Sequence, residues 1–254
     1  MSDLRTNFLP PQLEQETKTL GIDGVISVQA RQTLEETEWL LNLAQQHEFI
    51  RGVVGWAPLT LPDLRDLLDA FSENLKLKGV RHVLQSEPDD NYMLRDYFNA
   101  GIGCLEEFGL VYDILIFERH VPQTIEFVDR HPNQTLVLDH IAKPRIREGV
   151  LSPWRENLKQ LAERPNVFCK VSGMVTEADY TSWTEEQLAP YFEIVLNTFH
   201  PERLMFGSDW PVCLVPTTYS SWFWLLSRQI QLLSESERGL ILGQTATRVY
   251  RLAV

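Results

Sequence analysis

Seven short apolar runs, each closing on polar residues and separated by helical patterns, constrain this chain more than any other feature. They are Gly24–Gln29, Ile50–Trp56, Leu77–Leu84, Val111–Ile116, Thr135–His140, Val167–Ser172 and Leu204–Asp209. Near-continuous apolar segments of this length suit parallel strands covered on both faces. Between them, Thr33-Leu-Glu-Glu36 predicts a capping box that opens a helix, Ser152-Pro153 predicts a cap leading into Trp154–Glu163, and Ser234-Glu-Ser-Glu237 repeats the capping signal. Further helices are expected at 10–20, 62–75, 92–108, 122–130, 185–199 and 219–232. Strand then helix, recurring about every 25–37 residues, selects an α/β barrel or a doubly wound sheet. A doubly wound nucleotide binder would carry a glycine-rich phosphate turn, and neither G-x-G-x-x-G nor G-x-x-x-x-G-K-[ST] occurs. The reading is therefore a TIM-type (β/α) barrel, whose chemistry gathers at the C-terminal ends of its strands.

The 254 residues are the usual extent of one barrel, so a single domain, 1–254, is expected. A formal net charge of −12 argues against nucleic acid and against an anionic membrane surface, and no apolar stretch is long enough to span a bilayer. Cys104, Cys169 and Cys213 form no C-x-x-C pair and no even framework, and no apolar signal peptide precedes them, which predicts a cytoplasmic chain. Cys169, inside a strand, is expected to fill core.

Leu204–Val212 carries the sharpest local signal. The run ends in Gly207-Ser208 and then presents Asp209 beside Trp210 and Pro211, and a carboxylate in such a place is costly unless it has a partner or a task. Other runs also end on polar groups: Gln29, Trp56, Arg81 with His82, Tyr112 with Asp113, Asp139 with His140, and Lys170. Adjacent strand residues face opposite sides, so only one of Arg81 and His82 should reach the interior. The alternative for that pair is an ion pair with Glu87, Asp89 or Asp90. Asp139 should point away from His140 and fix a neighbouring helix or loop.

A closed barrel of this kind has eight strands, and seven are legible. The first is missing, so Gly24–Gln29 takes second place and Leu204–Asp209 eighth. Gly21-Ile-Asp-Gly-Val, Gly52-Val-Val-Gly-Trp56, Gly79-Val-Arg-His82, Leu138-Asp-His-Ile-Ala-Lys-Pro144, Cys169-Lys-Val-Ser-Gly173 and Met205-Phe-Gly-Ser-Asp-Trp-Pro-Val212 together resemble the sugar-lactonase branch of the amidohydrolase superfamily. That branch includes L-fuconolactonases and L-rhamnonolactonases and is related to 2-pyrone-4,6-dicarboxylate lactonase. The resemblance runs from about residue 3 to the C-terminus.

The resemblance implies hydrolysis of a sugar-acid lactone, with Asp209 as the base that activates water and His140 as its catalytic partner. Gln29, Trp56, Arg81, His82, Tyr112, Asp113, Lys170 and Trp210 are the expected substrate-binding residues, and Lys143 is a candidate for the rim. His140 and Asp209 would also be the ligands of a zinc-like divalent metal, if one is bound. The superfamily adds a His-x-His pair on its first strand, and none of the six histidines here is spaced that way. Two protein ligands are fewer than the three of a catalytic zinc site, so the cofactor expectation is one divalent metal or none. Of two explanations, an internal start within a longer gene product and a metal-free relative, the preserved remainder of the pattern favours the first. Other readings are a metal-dependent decarboxylase or amide hydrolase, a Schiff-base aldolase using Lys170, and an incomplete barrel that binds a small ligand without turnover. Trp222-Phe-Trp224 is expected to pack as helix, and aromatic surface left by the missing strand makes a homodimer an option.

Overall fold

The computed structural model describes residues 4–253. Seven strands, β1 (Val25–Val28), β2 (Ile50–Gly55), β3 (Leu77–His82), β4 (Val111–Ile114), β5 (Leu136–Leu138), β6 (Val167–Val171) and β7 (Leu204–Phe206), form one sheet in chain order. Every neighbouring pair is parallel. Among the described residues the sheet curls into an open barrel of the TIM type, one strand short of eight, with β1 and β7 unpaired. All four residues of β1, at the seam, are partly exposed, whereas β4 and β5 are buried throughout.

The helices are α1 (Pro10–Thr19), α2 (Leu34–Gln46), α3 (Leu64–Ser72), α4 (Asp96–Glu107), α5 (Val121–Arg130), α6 (Trp154–Ala162), α7 (Glu185–Phe199), α8 (Tyr219–Gln229), α9 (Glu235–Gly239) and α10 (Thr245–Val249). The longer helices from α2 to α8 turn apolar stripes toward the core. In α7, Leu188, Tyr191, Phe192, Val195 and Phe199 are the buried positions, at the three- and four-residue spacing of one helical face. Thr184 opens α7 by accepting from the Gln187 amide, and Ser234 with Glu237 makes the full capping box at α9.

Two expected caps differ. Thr33 accepts from the Glu36 amide at 3.2 Å, but Glu36 does not reciprocate. Its carboxylate instead accepts from the amides of Ala30 and Arg31, which ties the loop after β1 to α2. At α6 the helix begins at Trp154 with Pro153 in the cap position, so Ser152 lies one residue too early to cap it.

Side chains alternate along each strand, which divides the core in two. One set, including Leu136, Leu138, Val167, Cys169 and Leu204, packs outward against the helices. The other, Val54, Val111, Val137 and Met205, points inward and meets Val249 and Tyr250 from the end of the chain. Register then stacks the polar residues above this inner apolar layer: Arg81 lies beside Asp113 across β3 and β4, and Lys170 is one residue past the Leu138–Cys169 pairing of β5 and β6.

Candidate active site

Directly above the inner apolar layer, five side chains form a buried charge network. Asp139 Oδ2 pairs with Arg81 Nη1 at 2.7 Å and its Oδ1 with Lys170 Nζ at 2.8 Å. Lys170 also pairs with Asp113, which accepts a hydrogen bond from the Tyr250 hydroxyl at 2.7 Å. The Gln29 amide donates to the Arg81 carbonyl at 3.2 Å, while the Arg81 guanidinium returns a bond to the Gln29 carbonyl. Two cations and two carboxylates leave the network balanced, as burial requires. Burial pulls Lys170 down, but Asp113 and Asp139 outweigh it and hold the ammonium above its ordinary range. Both carboxylates engage the Lys170 ammonium, which disfavours the Schiff-base reading. Burial likewise pushes Asp139 up, and Lys170 and Arg81 overcome it, keeping the carboxylate ionised.

The chain leaves β5 in an unusual way. His140, Ile141, Ala142 and Lys143 have φ of 51°, 50°, 61° and 47°, a left-handed run of non-glycine residues. Such residues each cost about 1–2 kcal/mol, and a β-branched one is a marked outlier. The run is held from outside, by the Trp154 indole N–H donating to the Ile141 carbonyl at 2.8 Å and by full burial of Ile141 and Ala142, and from within, by the Lys143 amide donating to the His140 carbonyl at 2.8 Å. After β7, Asp209 is also left-handed, with φ 56°. Its loop is anchored by the Trp222 indole donating to the Gly207 carbonyl at 2.8 Å and by the Cys213 amide donating to the Asp209 carbonyl at 2.9 Å. Strain concentrated at two facing strand ends is the signature of a site whose geometry is imposed by its surroundings.

These two turns bring His140 and Asp209 together. His140 Nε2 lies 3.7 Å from Asp209 Oδ1, too long for a direct hydrogen bond but close enough for one oxygen to touch both atoms. On the other side of the ring, His140 Nδ1 lies 2.8 Å from the Ser172 hydroxyl. Burial pushes the imidazole below its ordinary pKa against the opposing pull of Asp209 and Asp139, so the ring is neutral at pH 7. Two glycines make the packing possible. A Cβ on Gly173 would lie 2.8 Å from the His140 ring, and one on Gly207 would lie 2.8 Å from Ser172 Cβ.

Beside the pair, the loops after β4, β5 and β6 enclose a cleft of about 700 Å³ lined by Phe117, Glu118, Lys143, Arg145, Arg147 and Glu177, among others. Most of its charges are matched in pairs. Arg145 meets Glu118 at 2.6 Å, Arg147 meets Asp179 at 3.4 Å, and Lys143 stands 3.8 Å from Glu177 and 5.6 Å from the Phe117 ring centre. Burial raises the Glu177 carboxyl, with Lys143 opposing and the nearby Asp209 adding to the rise.

The expected site residues thus separate into groups. His140, Asp209 and Lys143 lie at the C-terminal rim. Gln29, Arg81, Asp113 and Lys170 lie one layer below it, committed to one another. His82 and Tyr112 face outward toward the helices, because each is adjacent in a strand to an inward residue. His82 donates to or accepts from Glu87 at 2.7 Å and stacks on Tyr92, and Tyr112 packs fully buried on Phe98 and Phe127. Asp139 corrects its expectation in the same terms: it holds Arg81 and Lys170 rather than a helix or loop, because β5 ends at Leu138 and the left-handed turn carries His140 upward instead of outward. Trp56 sits at the end of β2 with its backbone pinned on both sides by the Thr37 hydroxyl, and Trp210 packs edge-on to Phe8 at 5.3 Å. Ser172 and Glu177 were not foreseen. Ser172 was accessible to sequence reasoning, since it follows Lys170 at the inward spacing of β6; Glu177 lies in a loop with no periodicity to place it.

A divalent metal would find two donors here. Among the described residues no group of three or more His, Cys, Asp or Glu side chains is arranged to hold an ion, so the residues present do not complete a zinc site.

Residues 3–252 match the model of a protein family described as amidohydrolase. The chain is 38% identical to an L-fucono-1,5-lactonase of Burkholderia multivorans, over 99% of this chain and 88% of that protein. It is 32% identical to an L-fucono-1,5-lactonase of Burkholderia ambifaria, over 97% of this chain and 86% of that one. Among solved structures, an amidohydrolase from Burkholderia multivorans with bound zinc superposes with a TM-score of 0.97 at 38% identity, covering 100% of this chain and 92% of that one.

Proposed function

The chain belongs to the amidohydrolase family, and we propose that it opens the lactone ring of a sugar acid by hydrolysis. The observation that carries this reading is the 3.7 Å approach of His140 Nε2 to Asp209 Oδ1 at one strand-end rim, on backbone strained at both residues. Asp209 takes a proton from water as the water oxygen attacks the ring ester carbonyl. In this mechanism His140 carries its ring proton on Nε2, with Nδ1 accepting from the Ser172 hydroxyl 2.8 Å away, and directs that proton at the oxyanion of the tetrahedral intermediate. Collapse breaks the ring C–O bond, and Asp209 returns its proton to the departing alkoxide. The open product is a hydroxy acid.

The lower network serves as a floor. By gripping Asp139, Arg81 and Lys170 hold the residue next to His140 and so set the height of the imidazole. The cleft beside the pair offers both donors and acceptors with little unbalanced charge, which suits the hydroxyls of a neutral lactone better than a polyanion. L-Fucono-1,5-lactone is the first substrate to try, given the named relatives.

A second reading is a barrel that binds such a ligand without turning it over. The open β1–β7 seam and the two-donor metal count favour it. Acid release from a panel of aldonolactones, with and without added zinc, separates the two. Turnover that falls at least about 100-fold in a folded Asp209→Asn variant is the expected result. Wild-type turnover in that variant overturns the base assignment, and no turnover of any lactone under either condition overturns lactone opening.

A further inference from the structure

At the opposite, N-terminal end of the barrel lies a second cavity of about 240 Å³, between the starts of β3 and β4 and the end of the chain. Lys78 and Arg251 line it, with Asn74, Gly109, Leu110 and Tyr250 completing much of the wall. Three cations gather here. Lys78 Nζ donates to the Arg251 carbonyl at 3.1 Å, and Lys76 Nζ donates to the Ile50 carbonyl at 2.7 Å. Burial and the nearness of Lys76 and Arg251 push the Lys78 ammonium below its ordinary pKa. Among the described residues, no carboxylate forms an ion pair with Lys76, Lys78 or Arg251, although basic side chains elsewhere on the surface commonly have one.

That arrangement is anomalous in a chain of net charge −12, where carboxylates outnumber cations and mutual repulsion should have been relieved. Arg251 is left-handed, with φ 48°, and its guanidinium reaches to Gly109, where a Cβ would lie 2.6 Å from Nη1. Any larger residue at 109 would displace the guanidinium. A cavity this size falls below the usual range for drug-sized ligands, about 300–1,000 Å³.

We propose that this basic cavity at the N-terminal end of the barrel binds a small oxyanion, with Lys78 and Arg251 as its charged contacts and Lys76 reinforcing the field. Two sources share the chemistry, free phosphate and the carboxylate of a sugar acid. The test measures the melting temperature of the full chain in sodium phosphate, in sodium gluconate and in sodium chloride at matched ionic strength. Lys78→Gln and Arg251→Gln variants are run beside the wild type. At ten times the dissociation constant, the bound anion should raise the wild-type value by about 3 °C over chloride, and each variant should lose at least half of that increment. A response to phosphate identifies the free anion, and a response to gluconate alone identifies the sugar acid. Equal increments in wild type and variants, or none in either salt, overturn the proposal. Should one variant fail to fold, Lys76→Gln with isothermal titration of phosphate replaces it, and unchanged affinity there counts against the site.

Discussion

Gly173→Ala places a methyl group against the imidazole on which the proposed chemistry depends. Gly173 has φ 63°, and the added Cβ would stand 2.8 Å from His140 Cβ, Cγ and Nδ1. Contact becomes ordinary at 3.4 Å, so the ring must retreat by about 0.6 Å or the β6 loop must yield by as much. The ring has little freedom, because Ser172 sits 2.8 Å from Nδ1 and the residues after it are buried and left-handed. An alanine in left-handed backbone costs about 1–2 kcal/mol, before any cost of the clash. Misplacing a catalytic group by about 1 Å can cost 100-fold in rate, so a 0.6 Å retreat should lower kcat about 10- to 100-fold. Urea unfolding and lactone turnover on the same preparation read both effects. Lower stability with wild-type kcat would show that His140 is not used. Unchanged stability and unchanged kcat would refute the packing argument itself.

Other expectations follow from the buried network and the histidines. Lys170→Met leaves Asp113 and Asp139 without their shared cation and should destabilise by about 3–5 kcal/mol in urea unfolding; a loss under 1 kcal/mol would show that the network is not stabilising as drawn. Tyr250→Phe removes the hydroxyl that donates to Asp113 and should cost about 1.5–3 kcal/mol, with no change in KM. Stability should also depend on pH with a definite sign. His82, His131 and His140 are all depressed by burial, so between their folded and unfolded pKa values the unfolded chain binds more protons. The melting temperature should therefore hold near pH 7.5 and fall as pH drops below about 6.5, the ordinary histidine value. A melting temperature that rose between pH 7.5 and 5.5 would contradict this assignment.

Much of the architecture was legible in local pattern. The alternation of short apolar runs with helical segments predicted all seven strands in order and a sheet one strand short of eight, because strand and helix periods depend on residues a few positions apart. The same logic separated Arg81 from His82, one inward and one outward, and put Asp209 and His140 at strand ends. What periodicity could not supply was partnership between distant residues. Arg81, Asp113 and Lys170 looked like ligand contacts because each ends or nearly ends a strand; only curling of the sheet brings 81, 113, 139, 170 and 250 into one layer, where each charge is spent on another. The turn after Leu138 is the other case. Four consecutive left-handed residues without glycine contradict every local preference, and they persist because Trp154 and the surrounding core hold them. Local sequence thus determined which segments are strands and which face each side chain takes, while the tertiary structure alone decided which charges neutralise one another and where His140 points, since both depend on contacts made across the barrel.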